Sequence, residues 1–226
     1  MSLTAIRGGS LKSRVTLFTL GIFVVSIWSL ALFAGQMLRG DTVRLLGEQQ
    51  LSTVTYMASD ITRQIDDRFK ALETVAGNIK PDVLADPVAL QKYLEERRVF
   101  QSLFNAGTYV TGEDGVAIAS LPVDAQRIGV IYSDRDYIQI PLQQGSAAIG
   151  QPVMGRKVKA PIFGMSAPIR DAENKVIGAL AGVVDLSRAS FLDSISQGKY
   201  GKTGDYFIVN AKHRVIVTSS DRGRLM

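Results

Sequence analysis

Tyr132-Ser133-Asp134-Arg135-Asp136-Tyr137 opens the stretch whose reading decides the fold, and Val183-Val184-Asp185-Leu186-Ser187 closes it. Between them, Pro141-Leu142-Gln143-Gln144-Gly145 predicts a short helix stopped by glycine. Three apolar runs follow, Gly150 to Val158, Ile162 to Ile169 and Val176 to Val184, and predict strands, the last two joined by the polar loop Arg170 to Lys175. Just upstream, Thr108-Tyr109-Val110-Thr111 and Val116-Ala117-Ile118-Ala119 predict a hairpin turning through Gly112-Glu113-Asp114-Gly115, whose Asp-Gly pair is a strong turn signal. Asp86-Pro87 followed by Leu90, Tyr93, Leu94 and Phe100 predicts a helix, with Glu95 to Arg98 as its solvated face. A hairpin, short helices and three antiparallel strands make an α+β domain with one central sheet over residues 81–187. Charged and aromatic groups at one end of the deciding stretch, and a lone acid after an apolar strand at the other, point to the walls of a small-molecule pocket.

Further out lies an anchor. Val15 to Ala34 carries no charge and is dominated by Leu, Ile, Val, Phe and Trp28. About 20 residues at 1.5 Å each match the roughly 30 Å hydrocarbon core, so residues 15–38 are expected to form a transmembrane helix. The apolar core of a cleaved leader is shorter, and no small-x-small site follows Leu32-Phe33-Ala34-Gly35-Gln36. Arg7, Lys12 and Arg14 precede the span, which puts residues 1–14 in the cytoplasm and residues 41–226 outside, in the periplasm if the membrane is a bacterial inner membrane.

Beyond Asp41-Thr42, Leu51, Val54, Ala58, Ile61, Ile65, Leu72, Val75 and Ile79 recur at spacings of three and four, with Phe69 filling the gap between Ile65 and Leu72. One long amphipathic stalk helix over 41–80, ended by Pro81, is the expectation. Its C-terminal half is expected to pack on its own domain, and its first turns near Leu46 to form the contact of a homodimer.

The net charge of +5 does not imply nucleic acid. Residues 1–40 hold four basic residues and no acid, which leaves 22 basic against 21 acidic residues in the remainder. With no cysteine, disulfides and thiolate metal sites are excluded, and a single histidine thins the catalytic options. No cofactor is implied. Several motif-like stretches fail on inspection. Gly201-Lys202-Thr203 lacks the first glycine of a phosphate-binding loop and precedes a strand. Gly164-Met165-Ser166-Ala167-Pro168 lacks the last glycine of a nucleophile elbow. Gly178 to Gly182 matches G-x-x-x-G outside the span, and His213 falls in a predicted surface turn.

Asp134-Arg135-Asp136-Tyr137, its spacing to Gly150-Gln151-Pro152-Val153, the run Phe163 to Ile169, and Val176-Ile177-Gly178 leading to Val183-Val184-Asp185-Leu186 together resemble the membrane-distal half of a double Cache domain. This is a family of PAS-like extracytoplasmic sensors of chemoreceptors, sensor histidine kinases and diguanylate cyclases, and the resemblance covers about residues 41–226. Gly201-Lys202-Thr203-Gly204-Asp205, Tyr206 to Val209 and Val215 to Thr218 repeat the earlier hairpin pattern and resemble the start of the membrane-proximal module. Residues 188–226 are therefore expected to be an incomplete second module, and the chain a fragment of a receptor whose cytoplasmic output domain lies elsewhere.

The resemblance implies a ligand held by Arg135 and Tyr137, with Tyr132 and Asp134 beside them and Asp185 at the end of the last strand. Arg135 offers a planar fork suited to a carboxylate, Tyr132 and Tyr137 add hydroxyls and an apolar wall, and Asp185 can receive an ammonium. The bland reading is that Asp134, Arg135 and Asp136 form a surface ion cluster and that Asp185 caps the next turn. Amino-acid-binding Cache domains carry Arg two residues before a Trp-Tyr pair, and this chain has Asp134 and Asp136 at those places. A small organic acid, an amine held by Asp134, Asp136 and Asp185, and a pocket without a physiological ligand stay open. Lys157 and Lys159 favour an anion or simply protect a strand edge. The contrasting expectations are a membrane-anchored protein-interaction domain and, against the missing acid-base pairs, a periplasmic enzyme.

Overall fold

The computed structural model describes residues 11–192, 207–210 and 215–219. It divides into two compact units, residues 1–56 and 57–226. In the first unit, helix α1 (Leu11–Ala76) runs through Asp41-Thr42 without a break. Thr42 keeps its hydroxyl inside the helix by donating to the Leu38 carbonyl at 2.7 Å. Leu17, Phe18, Phe23 and Trp28 are exposed, and among the described residues α1 is the one helix long and apolar enough to cross a membrane.

In the second unit α1 ends at Ala76, not at Lys80 as expected. The last carbonyls are met by tighter bonds, Asn78 N–H to Val75 and Ile79 N–H to Ala76, each at 3.1 Å. Lys80 then turns extended, as a residue before proline must, and Pro81 opens α2 (Pro81–Ala85) rather than closing α1. Asp86 caps α3 (Pro87–Glu95), accepting from Val88 N at 3.0 Å and Ala89 N at 3.3 Å. The expected single helix is two. Phe100 belongs to α4 (Val99–Leu103), and Arg97 between them leaves solvent to stack 3.2 Å over the Tyr93 ring.

The sheet comprises β1 (Thr108–Gly112), β2 (Ala117–Leu121), the two-residue β3 (Ala148–Ile149) and β4 (Val153–Met154), β5 (Pro161–Arg170) and β6 (Val176–Asp185). Its order is β2-β1-β6-β5-β3, with β4 also on β5, and every pairing is antiparallel. Of the continuous strand expected over 150–158 only the two residues of β4 form, with β3 just before that range and a turn after β4. Pro152 has no N–H for a ladder, and Gly150 is pressed against Tyr137, where a Cβ would lie 2.6 Å from the ring. A second hairpin pairs β7 (Phe207–Asn210) with β8 (Val215–Ser219). The Gly201 to Asp205 opening and His213 lie outside the described residues.

Alternation along the strands gives the sheet two buried faces. Val110, Phe163, Met165, Ala167, Ile169, Leu180 and Val184 meet Leu72, Ala76, Leu90, Leu94, Phe100 and Phe104 of the helices on one face. Tyr109, Ala179, Ala181 and Val183 line the other, beneath Tyr132, Tyr137 and Ile138. Arg68 ties the end of α1 into the first layer, donating to the Leu103 carbonyl at 3.0 Å and stacking 3.8 Å over Phe191. Glycine at two strand positions lets aromatic rings lie on the backbone itself. A Cβ on Gly182 would come within 2.4 Å of the Phe104 ring, and one on Gly164 within 2.4 Å of the Tyr137 ring. Gly182→Ala is expected to destabilise the second unit by about 1–3 kcal/mol through overpacking. Urea unfolding followed by circular dichroism checks this, with Gly47→Ala, an exposed helix position with no atom within 4 Å where alanine is the better helix former, as the comparison free of overpacking.

Candidate ligand-binding site

The second sheet face is closed by α5 (Asp136–Gln144) and by the segment 122–135 that leads into it. α5 begins five residues earlier than Pro141, the expected start, so Pro141 sits inside the helix. There it has no N–H to give to the carbonyl four residues back, that of Tyr137. The Ser166 hydroxyl of β5 donates to that carbonyl instead. The exchange fastens α5 to the sheet, as does the Gly145 carbonyl at its far end, which accepts from Arg170 of β5 at 2.6 Å. At the other end Gly145 stops the helix in the left-handed region, φ 66°.

Arg135 is the extended residue before α5, and Asp136 grips the helix start. One Asp136 oxygen accepts from Tyr137 N at 2.8 Å and the other from Gln151 N at 3.0 Å, which joins the helix to the β3–β4 loop. Tyr137 is thereby held under α5 with its ring on Gly164, and its hydroxyl accepts from Tyr109 at 3.1 Å. Tyr132 lies over Tyr109 with ring centroids 4.6 Å apart. Arg127, 2% exposed, packs beside these rings, 5.7 Å from the Tyr109 centroid, and donates to the Ala106 carbonyl.

The predicted residues fall in two groups. Tyr132 and Tyr137 come together in the buried aromatic cluster, and Arg135 lies near its rim, donating weakly to the Met154 carbonyl at 3.4 Å. Asp134 is half exposed and belongs to an ion-pair group, 2.7 Å from Arg156 and 3.9 Å from Arg135. Asp185 ends β6 on the same sheet face, buried, but its carboxylate accepts from the Ser187 amide at 2.9 Å and the Ser187 hydroxyl at 2.6 Å. Its backbone is held by Asn105, which accepts from the Asp185 N–H at 2.7 Å and donates to its carbonyl at 3.1 Å and to that of Ala189 at 2.9 Å.

Three residues of the cluster escaped sequence reasoning. Tyr109 carried a signal, an aromatic on the alternate face of a predicted strand. Arg127 carried none, being a single cation in a polar loop, and Arg156 was hidden in a run read as strand.

Burial sets the protonation of the cluster. It pushes the Tyr109 phenol well above its ordinary range, reinforced by Tyr137 and opposed by Arg127. It raises Tyr137 against the Tyr109 hydrogen bond and Arg135, and raises Tyr132 against Arg127, Arg156 and Arg135. It also lowers the pKa of Arg127. Neutral phenols beside guanidinium groups can donate hydrogen bonds to an anionic group and enclose its apolar part.

The family model for the Cache domain, dCache_1, matches residues 40–225. The chain belongs to the Cache domain family. Cache domains are sensor modules that bind ligands and do not catalyse reactions. The Cache chain described here is similar in fold to the sensor domain of the V. cholerae histidine kinase DctB, with a TM-score of 0.61 and 23% identity over 80% of this chain and 69% of that one. It is also similar to the ligand-binding domain of the Pseudomonas aeruginosa PAO1 amino-acid chemoreceptor PctC in complex with GABA, with a TM-score of 0.60 and 23% identity over 76% of each chain. The ligand-binding domain of the Pseudomonas fluorescens chemoreceptor CtaA in complex with L-serine gives a TM-score of 0.61 at 19% identity, over 75% of this chain and 70% of that one. A comparison with curated protein sequences gives no match.

Two expectations follow from the cluster. Ser166→Ala leaves the buried Tyr137 carbonyl without its donor and should cost about 1–3 kcal/mol in urea unfolding. Because folding holds the phenols protonated where the unfolded chain releases them, their stabilisation is complete below about pH 10 and is lost as pH rises past it. The thermal midpoint should therefore fall on the alkaline side, and less steeply in Tyr109→Phe.

Proposed function

We propose that this chain is the extracytoplasmic ligand-sensing region of a membrane-bound signal-transduction receptor, and that it binds a small metabolite bearing a carboxylate. The observation that carries the reading is the buried sheet face on which Tyr109, Tyr132 and Tyr137 meet beneath α5, with Arg135 near the rim. An acid is favoured over an amine by the acids themselves. Asp185 is occupied by Ser187 and Asp134 by Arg156, whereas three arginines lie beside the phenols.

The anchor supports the same reading. An apolar helix preceded by Arg7, Lys12 and Arg14 favours a cytoplasmic N-terminus at a bacterial inner membrane, with residues 41–226 in the periplasm. Exposed Leu46, Leu51 and Val54 on α1 suit a homodimer through the stalk. The output is a cytoplasmic domain outside this sequence: a diguanylate cyclase, a histidine kinase or a chemoreceptor signalling domain. A ligand acts on it only by binding one receptor state more tightly than the other, about 1.4 kcal/mol for each tenfold preference.

The test is a thermal-shift panel of organic acids, amino acids and amines on the whole chain in lipid nanodiscs. An acid is expected to raise the midpoint, and Arg135→Ala to weaken its binding by about tenfold or more, the worth of a charge-assisted pair. Stabilisation by amines alone, or by no compound, argues against this reading, and the second result favours a protein-interaction domain.

A further inference from the structure

Behind the aromatic cluster lies a cavity of about 330 Å³ that Lys157 lines but Tyr132, Asp134, Arg135, Tyr137 and Asp185 do not. Its walls come from the start of β1, the loop after β2, the turn after β4 and the segment after β6, represented by Ala106, Asp124, Arg127, Lys157 and Arg188. Arg127 is the buried charged member, 2% exposed. A guanidinium has five N–H groups in a fixed fork and keeps its charge in proteins. One terminal nitrogen donates to the Ala106 carbonyl, and the Tyr132 phenol lies beside the group. The other, Nη1, is buried without a hydrogen-bond partner, and among the described residues no carboxylate lies within ion-pair distance of Arg127.

A buried cation without counter-ion in the wall of a cavity, its Nη1 turned to Gly107, is an incomplete arrangement. The other basic residues around it are exposed. Among the described residues Lys157 has no ion-pair partner, and Arg188 makes a single long bond, 3.3 Å, to the Asn105 carbonyl. Against these three cations the described lining holds one acid, Asp124, also exposed and pairing with none of them. The cavity has the size of a small-metabolite site.

We infer that the Arg127–Lys157–Arg188 cavity is a second anion-binding site, distinct from the one beneath α5 and specific for a small multivalent oxyanion. Arg127 supplies a fixed, desolvated positive charge in its wall. Lys157 and Arg188 neutralise the charge that remains at the mouth. Because Arg127 also packs on Tyr109 and Tyr132, an anion here bears on the same rings that wall the first site.

Isothermal titration of the whole chain in nanodiscs, at low chloride, tests this with malonate, citrate and inorganic phosphate as probes. Malonate and citrate against phosphate tell a carboxylate site from a phosphate site. At least one probe is expected to bind, and Lys157→Gln and Arg188→Gln each to weaken it by about threefold to tenfold, with the double variant weaker than either. Arg127→Gln should abolish binding. Because that buried change can also unsettle the fold, the exposed double variant is decisive, with Lys92→Gln on α3 as the control for loss of a charge. Failure of all three probes to bind overturns the inference. So does binding that the double variant leaves intact. If such binding is lost in Arg135→Ala, the anion occupies the site beneath α5, and the proposed sensing function stands while this second site does not.

Discussion

The hydroxyl of Ser166 on the carbonyl of Tyr137 is a small contact on which the second sheet face depends. It exists because Pro141, inside a helix, leaves that carbonyl without its helical donor. A helix with a complete ladder would offer the sheet only side chains. Here α5 offers an acceptor from its own backbone, at the level where Gly164 lets the Tyr137 ring lie flat on β5. Position, tilt and depth of the tyrosine are set together, and the Tyr109 hydroxyl meets it for that reason.

The same economy of side chains runs through the central strands. β6 passes Gly178-Ala179-Leu180-Ala181-Gly182 between two layers, and its small residues make room for Phe104 on one side and Tyr109 with Tyr132 above it on the other. Large residues at these points would thicken the sheet and part the layers. The sensor fold shared with DctB, PctC and CtaA thus rests here on where bulk is absent as much as on where it is buried.

Much of this was legible in the sequence because it is local. The Asp86 cap, the Asp-Gly turn, and β5 and β6 with their polar loop each announce themselves within a dozen residues. The start of α5 was not legible, because proline most often opens a helix, and only a partner on another strand makes it tolerable within one. Residues 150–158 read as one strand because apolar content is visible and the pressure of Tyr137 on Gly150 is not. In the site, Arg135, Tyr132 and Tyr137 were reached through family likeness. Arg127 was not, since nothing in a loop cation's neighbours tells that the fold will bury it. Asp185 illustrates the converse: Ser187, two residues on, already contained its partner.

Asn105 gives the end of β6 a property that no strand pairing supplies. Its amide grips the backbone of Asp185 on both sides and reaches Ala189 beyond it. The point where the chain leaves the sheet is thus riveted to the residue that leads into β1. Tension applied from the following segment passes sideways into the neighbouring strand rather than peeling β6 from its end. A displacement arising on that side of the molecule reaches the sheet as a shift of two strands together, and reaches it first next to Arg188 and Ala106.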